Sequence, residues 1–169
     1  MTKNLKIFTA LGTIATVCLG SLGHFVYNWS GKNYIAGLFF ATNESVWEHV
    51  KLALLPMMCI FLLGAFVLKG ANNFPAAAFF AMATVIISIP LAFYGYTAIA
   101  GKSILAVDIA IFAISIALGY CSAFILFRAK QRRWLNALSL IGLGAVIVCF
   151  MTFTYNAPDW FLFRQPAFA

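Results

Sequence analysis

Five apolar runs, each about as long as a membrane-spanning helix, dominate this sequence and leave few folds open. The runs cover residues 7–27, 48–68, 74–99, 103–127 and 134–157. A helix needs about 20 predominantly apolar residues to cross the hydrocarbon core of a bilayer, whereas a membrane β-barrel would show short alternating segments. The sequence therefore predicts an all-α polytopic integral membrane protein, in which residues 1–169 form a single transmembrane domain of five helices.

The composition excludes a soluble globule. Hydrophobic residues make up 64% of the chain and charged residues only 9%, which is too little polar surface to cover a water-soluble fold. The first run is longer than the apolar part of a usual secretory signal, and it ends in bulky aromatic residues rather than small ones. We therefore interpret it as a retained span.

The Lys and Arg residues predict how the chain is oriented in the membrane. Cytoplasmic connections carry an excess of Lys and Arg. An inside amino terminus places seven of the 11 Lys and Arg residues on the cytoplasmic side, namely Lys3, Lys6, Lys69, Arg128, Lys130, Arg132 and Arg133. Only Lys32, Lys51, Lys102 and Arg164 then lie on the other side. We expect a cytoplasmic amino terminus and an outside carboxyl terminus.

The formal net charge of +7 does not indicate nucleic-acid binding, because the basic residues lie at the ends of spans and no soluble domain presents them. The densest group is Arg128, Lys130, Arg132 and Arg133. Such a cluster serves either as a topology anchor or as a contact for anionic lipid head groups. The bilayer is the partner that the sequence predicts, and the anionic-lipid contact is the more specific hypothesis.

The stretch NESVWEH, residues 43–49, contains two of the chain's four carboxylates and one of its two histidines. Ser45 and Glu48 have the spacing of a capping box, in which Glu48 would bind the Ser45 amide, and Trp47 could be an interfacial aromatic residue. A cap does not explain Glu44 and His49. Two carboxylates four residues apart on a helix repel each other. A bound cation or a shared proton would relieve this repulsion between Glu44 and Glu48.

The predicted topology directs polar groups from all five spans to the outer membrane face. His24 and Tyr27 end the first span, residues 43–51 lead into the second, Tyr94 and Tyr96 end the third, and Tyr155 ends the fifth. Asp108 lies six residues past Lys102, roughly 9 Å along a helix. A carboxylate at that depth normally faces the bundle interior, so we predict an outward-facing polar pocket.

The residue types in this pocket favour a metal site as the leading hypothesis. Imidazole and carboxylate ligands suit zinc or another divalent metal, whose polarised water could hydrolyse or transfer a group of a lipid or another membrane-proximal substrate. The predicted ligands are His24, His49 and Asp108, and the candidate general bases are Glu48 and Glu44. The predicted substrate contacts are Tyr27, Asn43, Trp47, Lys51 and Tyr155.

Two other classes of function stay open. Intramembrane Asp and His residues carry protons or substrates in small transporters, so Asp108 and His24 could serve a proton-coupled permease. A non-enzymatic membrane subunit that binds lipid or a partner would use the same pocket without chemistry.

Four blocks of the sequence carry a family resemblance. They are GHFVYNWSG (23–31), NESVWEHVKL (43–52), GKSILAVDI (101–109) and TYNAPDWFLF (154–163). With them the chain resembles a family of small bacterial multi-span membrane proteins of unknown function, although Asp159-Trp160 departs from that family's tail. The resemblance implies a protein of the bacterial cytoplasmic membrane, with site candidates at the matching positions His24, Asn43, Glu44, Trp47, Glu48, His49 and Asp108.

Overall fold

A computed structural model describes residues 2–166, which are helical and contain no β-strand. The helices are α1 (Thr2–Trp29), α2 (Tyr34–Phe39), α3 (Val46–Val67), α4 (Phe74–Ala100), α5 (Leu105–Arg128) and α6 (Arg133–Tyr155), followed by a 3-10 helix (Phe161–Phe163). Five of them, all except α2 and the 3-10 helix, are long and apolar enough to cross a membrane. The predicted all-α fold with five spans is confirmed.

Local signals at the helix ends account for some differences from the predicted bounds. The helix α3 begins two residues before the predicted span because Ser45 is its N-cap. The helix α5 begins two residues late, after Ile104, and α6 ends at Tyr155, shortly before Pro158. Hydropathy alone does not detect these local signals, since a cap depends on single hydrogen bonds.

The short helix α2 was not predicted. Asn33 caps it by accepting hydrogen bonds from the amides of Ile35 and Ala36, at 2.9 and 3.4 Å. Six residues are too few to show a helical period in the sequence. The helix matters for the site because it covers the buried start of α3, where Gly37 accepts a hydrogen bond from Lys51.

Small residues allow the long helices to approach closely. A Cβ atom at Gly20 of α1 would lie 2.8 Å from the Leu52 carbonyl oxygen of α3. A Cβ atom at Gly119 of α5 would lie 2.7 Å from the Ala81 carbonyl oxygen of α4. Close backbone approach lets helices associate in lipid, where the hydrophobic effect does not drive them together. The bundle positions α1 against both α3 and α5.

Aromatic rings fill the half of the bundle near the amino terminus. Phe61 stacks on Tyr120 with ring centroids 5.5 Å apart, and Phe8 contacts both rings edge-on. Tyr120 is buried, and its hydroxyl group forms a 2.9 Å hydrogen bond with the Thr16 hydroxyl group. This half of the protein is therefore a packed core.

Asn73 ties together the two loops at the same end of the molecule. Its buried side-chain amide donates to the carbonyl oxygens of Leu126, Ala129 and Lys130. Its carbonyl oxygen accepts from the Arg132 amide at 2.7 Å. The loop with the basic cluster is thus fixed to the start of α4, and its contact with anionic lipid stays a prediction.

Candidate functional site

The start of α3 confirms one half of the predicted capping box and corrects the other. The Ser45 hydroxyl accepts a hydrogen bond from the Glu48 amide at 3.4 Å, as expected. However, the Ser45 amide donates to Asn43 Oδ1 at 2.9 Å and not to Glu48. The Glu48 carboxylate accepts from the backbone amide of Thr42 instead. Asn43 therefore shapes the turn that precedes the helix.

Glu48 and Lys51 form a buried ion pair. The Lys51 Nζ atom lies 2.8 Å from Glu48 Oε2, and the two side chains are only 4% and 2% exposed. The same ammonium donates to the Gly37 carbonyl oxygen at 2.8 Å and to Thr154 Oγ1 at 3.0 Å. Full pairing of both charges makes their burial tolerable. The ion pair also holds Glu48, which was predicted as a general base, in the contact between α2, α3 and α6.

A separate cluster is formed by His24, Glu44 and His49. It lies on the other side of the α3 start from the Glu48–Lys51 ion pair. The Nε2 atoms of His24 and His49 each lie 3.5 Å from a different carboxylate oxygen of Glu44. One potential ligand atom from each of the three residues lies within 4.8 Å of the others. His24 comes from the end of α1, Glu44 from the turn before α3, and His49 from the first turns of α3.

A backbone carbonyl group orients the ring of His49. Its Nδ1 atom lies 3.0 Å from the Ser45 carbonyl oxygen, which can only accept a hydrogen bond. Nδ1 therefore carries a proton, and in the neutral ring Nε2 has a free lone pair directed at Glu44. A lone pair facing a carboxylate is favourable only with a proton or a cation between them. In metal-binding histidines, the ring nitrogen that does not bind the metal usually donates a hydrogen bond of this kind, which orients the ring.

The cluster borders a cavity of about 490 Å³. This volume lies within the range of about 300–1,000 Å³ that is typical of pockets for small molecules. Its wall is formed by α1, α3, α4 and α5, and most of the wall is apolar. The lining includes Phe25, Leu52, Ile89, Phe93, Leu105, Ile109 and Phe112 beside the polar residues His24, Glu44, His49, Ser103 and Asp108.

A family model described as a family of unknown function, DUF6512, matches residues 1–168. The chain belongs to the DUF6512 family. No curated protein and no solved structure matches it. The match agrees with the predicted resemblance to an uncharacterised family, and the five spans indicate a multi-pass membrane protein. The bacterial origin and the four blocks as family markers stay predictions.

Asp108 of this DUF6512 protein lies on the cavity wall but outside the three-residue cluster. The Ser103 hydroxyl donates to its Oδ2 atom at 2.6 Å, and the Tyr96 hydroxyl donates to its Oδ1 atom. Tyr96 is itself held by the Ile104 amide at 3.0 Å. Neither Ser103 nor Tyr96 was predicted from the sequence as a partner of Asp108. A hydroxyl residue just before an acidic first turn is the signal that could have indicated Ser103.

The five predicted substrate contacts lie away from the cavity wall. Trp47 is 8% exposed and stacks on Phe150 of α6 with ring centroids 4.1 Å apart, so the expectation of an interfacial tryptophan was wrong. The Tyr155 hydroxyl donates to the Tyr34 carbonyl oxygen at 2.8 Å. Tyr27 packs beside Gly37 of α2. In the DUF6512 protein these residues, with Asn43 and Lys51 as described above, make contacts within the fold.

Proposed function

We propose that this DUF6512 protein binds a divalent transition-metal ion through His24, Glu44 and His49 and uses it to hydrolyse or transfer an ester group. One observation carries the proposal. Two imidazole Nε2 atoms face separate oxygens of one carboxylate at 3.5 Å, beside a cavity of substrate size.

The spacing suits a tetrahedral ion. Zinc bonds to nitrogen and oxygen are about 2.0–2.1 Å long, which gives about 3.3 Å between two ligand atoms at the tetrahedral angle. The two nitrogen–oxygen separations are 3.5 Å, each to a different Glu44 oxygen, and one ligand atom from each residue lies within 4.8 Å of the others, so the side chains would move closer together around one ion. Two histidines and one glutamate are a ligand set of catalytic zinc sites, which keep a fourth position for water or substrate.

This arrangement changes the roles that the sequence suggested. Glu44 becomes a ligand in place of Asp108, and Glu48 stays in its ion pair with Lys51. A metal ion held by His24, Glu44 and His49 would supply a water acidic enough to act as the nucleophile of hydrolysis near neutral pH. The water oxygen bonds to the carbonyl carbon or phosphorus, the bond to the leaving oxygen breaks, and the leaving oxygen takes the water's proton. In transfer, an alcohol replaces water.

The charge distribution supports an outward-facing site. The same Lys and Arg count that predicts a cytoplasmic amino terminus puts the cavity at the outer face, since the cluster lies at the end of α1 and the start of α3. The protein would then act on substrates in or near the outer leaflet of a bacterial cytoplasmic membrane. Transport through Asp108 and His24, and a non-enzymatic subunit role, stay predictions.

Metal content measured on detergent-purified protein tests the proposal. We expect about one equivalent of metal per chain after loading with zinc or manganese and dialysis, and a loss of most of it in H24Q, E44Q and H49Q. The control is D159N, which alters an exposed carboxylate paired with Arg164. Wild-type protein without stoichiometric metal would refute the metal site. Metal-loaded protein that cleaves none of a panel of carboxylic and phosphate ester lipids would refute the hydrolytic activity.

A further inference from the structure

The cavity points to the class of substrate, an inference that rests on the proposed metal site. We infer that the protein binds a lipid whose head group carries an ammonium group. The ester or phosphate oxygen of the lipid would face the His24, Glu44 and His49 cluster. The ammonium group would bind Asp108, and the start of the acyl chain would lie along the apolar wall.

The apolar wall favours a lipid because it reaches the surface that faces the bilayer. Phe25 of α1 and Leu105 and Ile109 of α5 line the cavity, yet they are 49%, 75% and 57% exposed. These side chains lie on spans, where exposed apolar surface contacts lipid. The cavity therefore extends to the membrane side of the bundle between α1 and α5. An amphiphile could place its head group inside while its chain stays in the bilayer.

The charge of the cavity favours an ammonium group. Glu44 and Asp108 are the carboxylates on its wall, and among the lining residues within 2–166 none is Lys or Arg. Lys51 is occupied by Glu48 and by carbonyl and hydroxyl oxygens on the far side of α3. Asp108 forms no ion pair among the residues that the structure describes, and its carboxylate accepts hydrogen bonds from Ser103 and Tyr96. A cation is the natural ligand for it.

The position of Asp108 suits recognition of a head group. Hydroxyl groups of Ser103 and Tyr96 bind one carboxylate oxygen each, which fixes the orientation of the group in the wall. Aromatic rings of Phe93 and Phe112 line the same cavity. The face of an aromatic ring attracts ammonium groups. A carboxylate in a cavity that such rings line favours a quaternary or primary ammonium over a neutral head group.

Binding of two lysolipids with the same acyl chain tests this inference. Zinc-loaded protein in detergent is titrated with lysophosphatidylcholine and with lysophosphatidylglycerol, and the metal content of each sample is measured. We expect the choline lipid to bind about tenfold more tightly, because its trimethylammonium group carries a positive charge that Asp108 and the aromatic rings attract and that the glycerol head group lacks. D108N should reduce the preference to about twofold or less, D108E should keep part of it, and D159N should keep all of it.

The outcomes separate the inference from the proposed function. Equal binding of the two lipids by metal-loaded wild-type protein would overturn the head-group assignment and leave the metal site intact. A preference that survives in D108N, in protein that unfolds at the wild-type temperature, would also overturn it. A preference that depends on Asp108, in wild-type protein that retains no metal after zinc loading, would support the ammonium site and overturn the metal site.

Discussion

The Glu48 carboxylate lies 2.8 Å from the Lys51 ammonium group, and the pair is buried between α2, α3 and α6. This contact separates the ionisable residues of the α3 start into two groups with different surroundings. Glu48 and Lys51 neutralise each other inside the fold. Glu44 and His49 face α1 and the cavity, where His24 joins them. The ionisable residues at the start of α3 therefore include one pair that stabilises the fold, Glu48 and Lys51, and two residues that are available for chemistry, Glu44 and His49.

Removal of the Lys51 charge should destabilise the fold strongly. K51M leaves a buried carboxylate without its partner, and breaking a buried pair from one side costs about 3–5 kcal/mol. The double variant E48Q/K51M should recover much of the loss because no buried charge remains. The midpoint of thermal unfolding in detergent measures both effects.

The control for this prediction is a second ion pair in a different environment. Arg164 and Asp159 lie 2.7 Å apart but are exposed. Exposed pairs contribute about 0–1 kcal/mol, so R164M should shift the midpoint only slightly. A K51M midpoint as close to wild type as that of R164M would show that the buried pair does not stabilise the protein.

The sequence predicted the spans well because each of them carries a strong apolar signal over 20 or more residues. It also predicted a pocket of His24, Glu44, Glu48, His49 and Asp108, because alternating spans return to the same face, and all of these except Glu48 line one cavity. The sequence could not show that Glu44 lines the cavity whereas Glu48 lies in a buried ion pair. That difference depends on how α3 is rotated against α1, α2 and α6, which is set by contacts such as Lys51 with Thr154. Such contacts join residues about 100 positions apart and leave no local pattern.

A methyl group at Gly20 should disturb the cluster of His24, Glu44 and His49. Its Cβ atom would lie 2.8 Å from both the Leu52 carbonyl oxygen and the ring of Phe112, so α1 must move away from α3 and α5. Overpacking costs about 1–3 kcal/mol. The shift of α1 would also displace His24, which lies one turn after Gly20. We expect G20A to have a lower unfolding midpoint and weaker zinc binding, measured by competition with a zinc chelator.

Gly95 offers the matched control, since a Cβ atom there has no neighbour within 4 Å in the described chain. Alanine favours a helix over glycine by about 1 kcal/mol. The G95A variant should therefore be as stable as wild type or more stable, with unchanged zinc affinity. Equal zinc affinity in G20A and G95A would show that the close approach of α1 does not position the cluster.

Loss of the Asn73 side chain should release the loop between α5 and α6. N73A leaves the carbonyl groups of Leu126 and Lys130 and the amide of Arg132 without this partner. Each hydrogen bond lost in this way contributes about 0.5–1.5 kcal/mol to stability. We expect a lower unfolding midpoint and faster tryptic cleavage within residues 128–133. N28A, at an exposed position of α1, should leave both unchanged. Unaltered cleavage in N73A would contradict the role of Asn73.

Labelling from outside the cell should reveal the orientation of the bundle. In a variant with its four cysteines replaced by alanine, K102C lies in the α4–α5 loop beside the cavity end, and K130C lies in the basic α5–α6 loop. Because the excess of Lys and Arg predicts a cytoplasmic basic loop, an impermeant maleimide should label K102C in intact bacterial cells and leave K130C unlabelled. Permeabilised cells should label both. Labelling of K130C alone would invert the topology, and the His24, Glu44 and His49 cavity would then open towards the cytoplasm, where its metal supply and lipid leaflet are different.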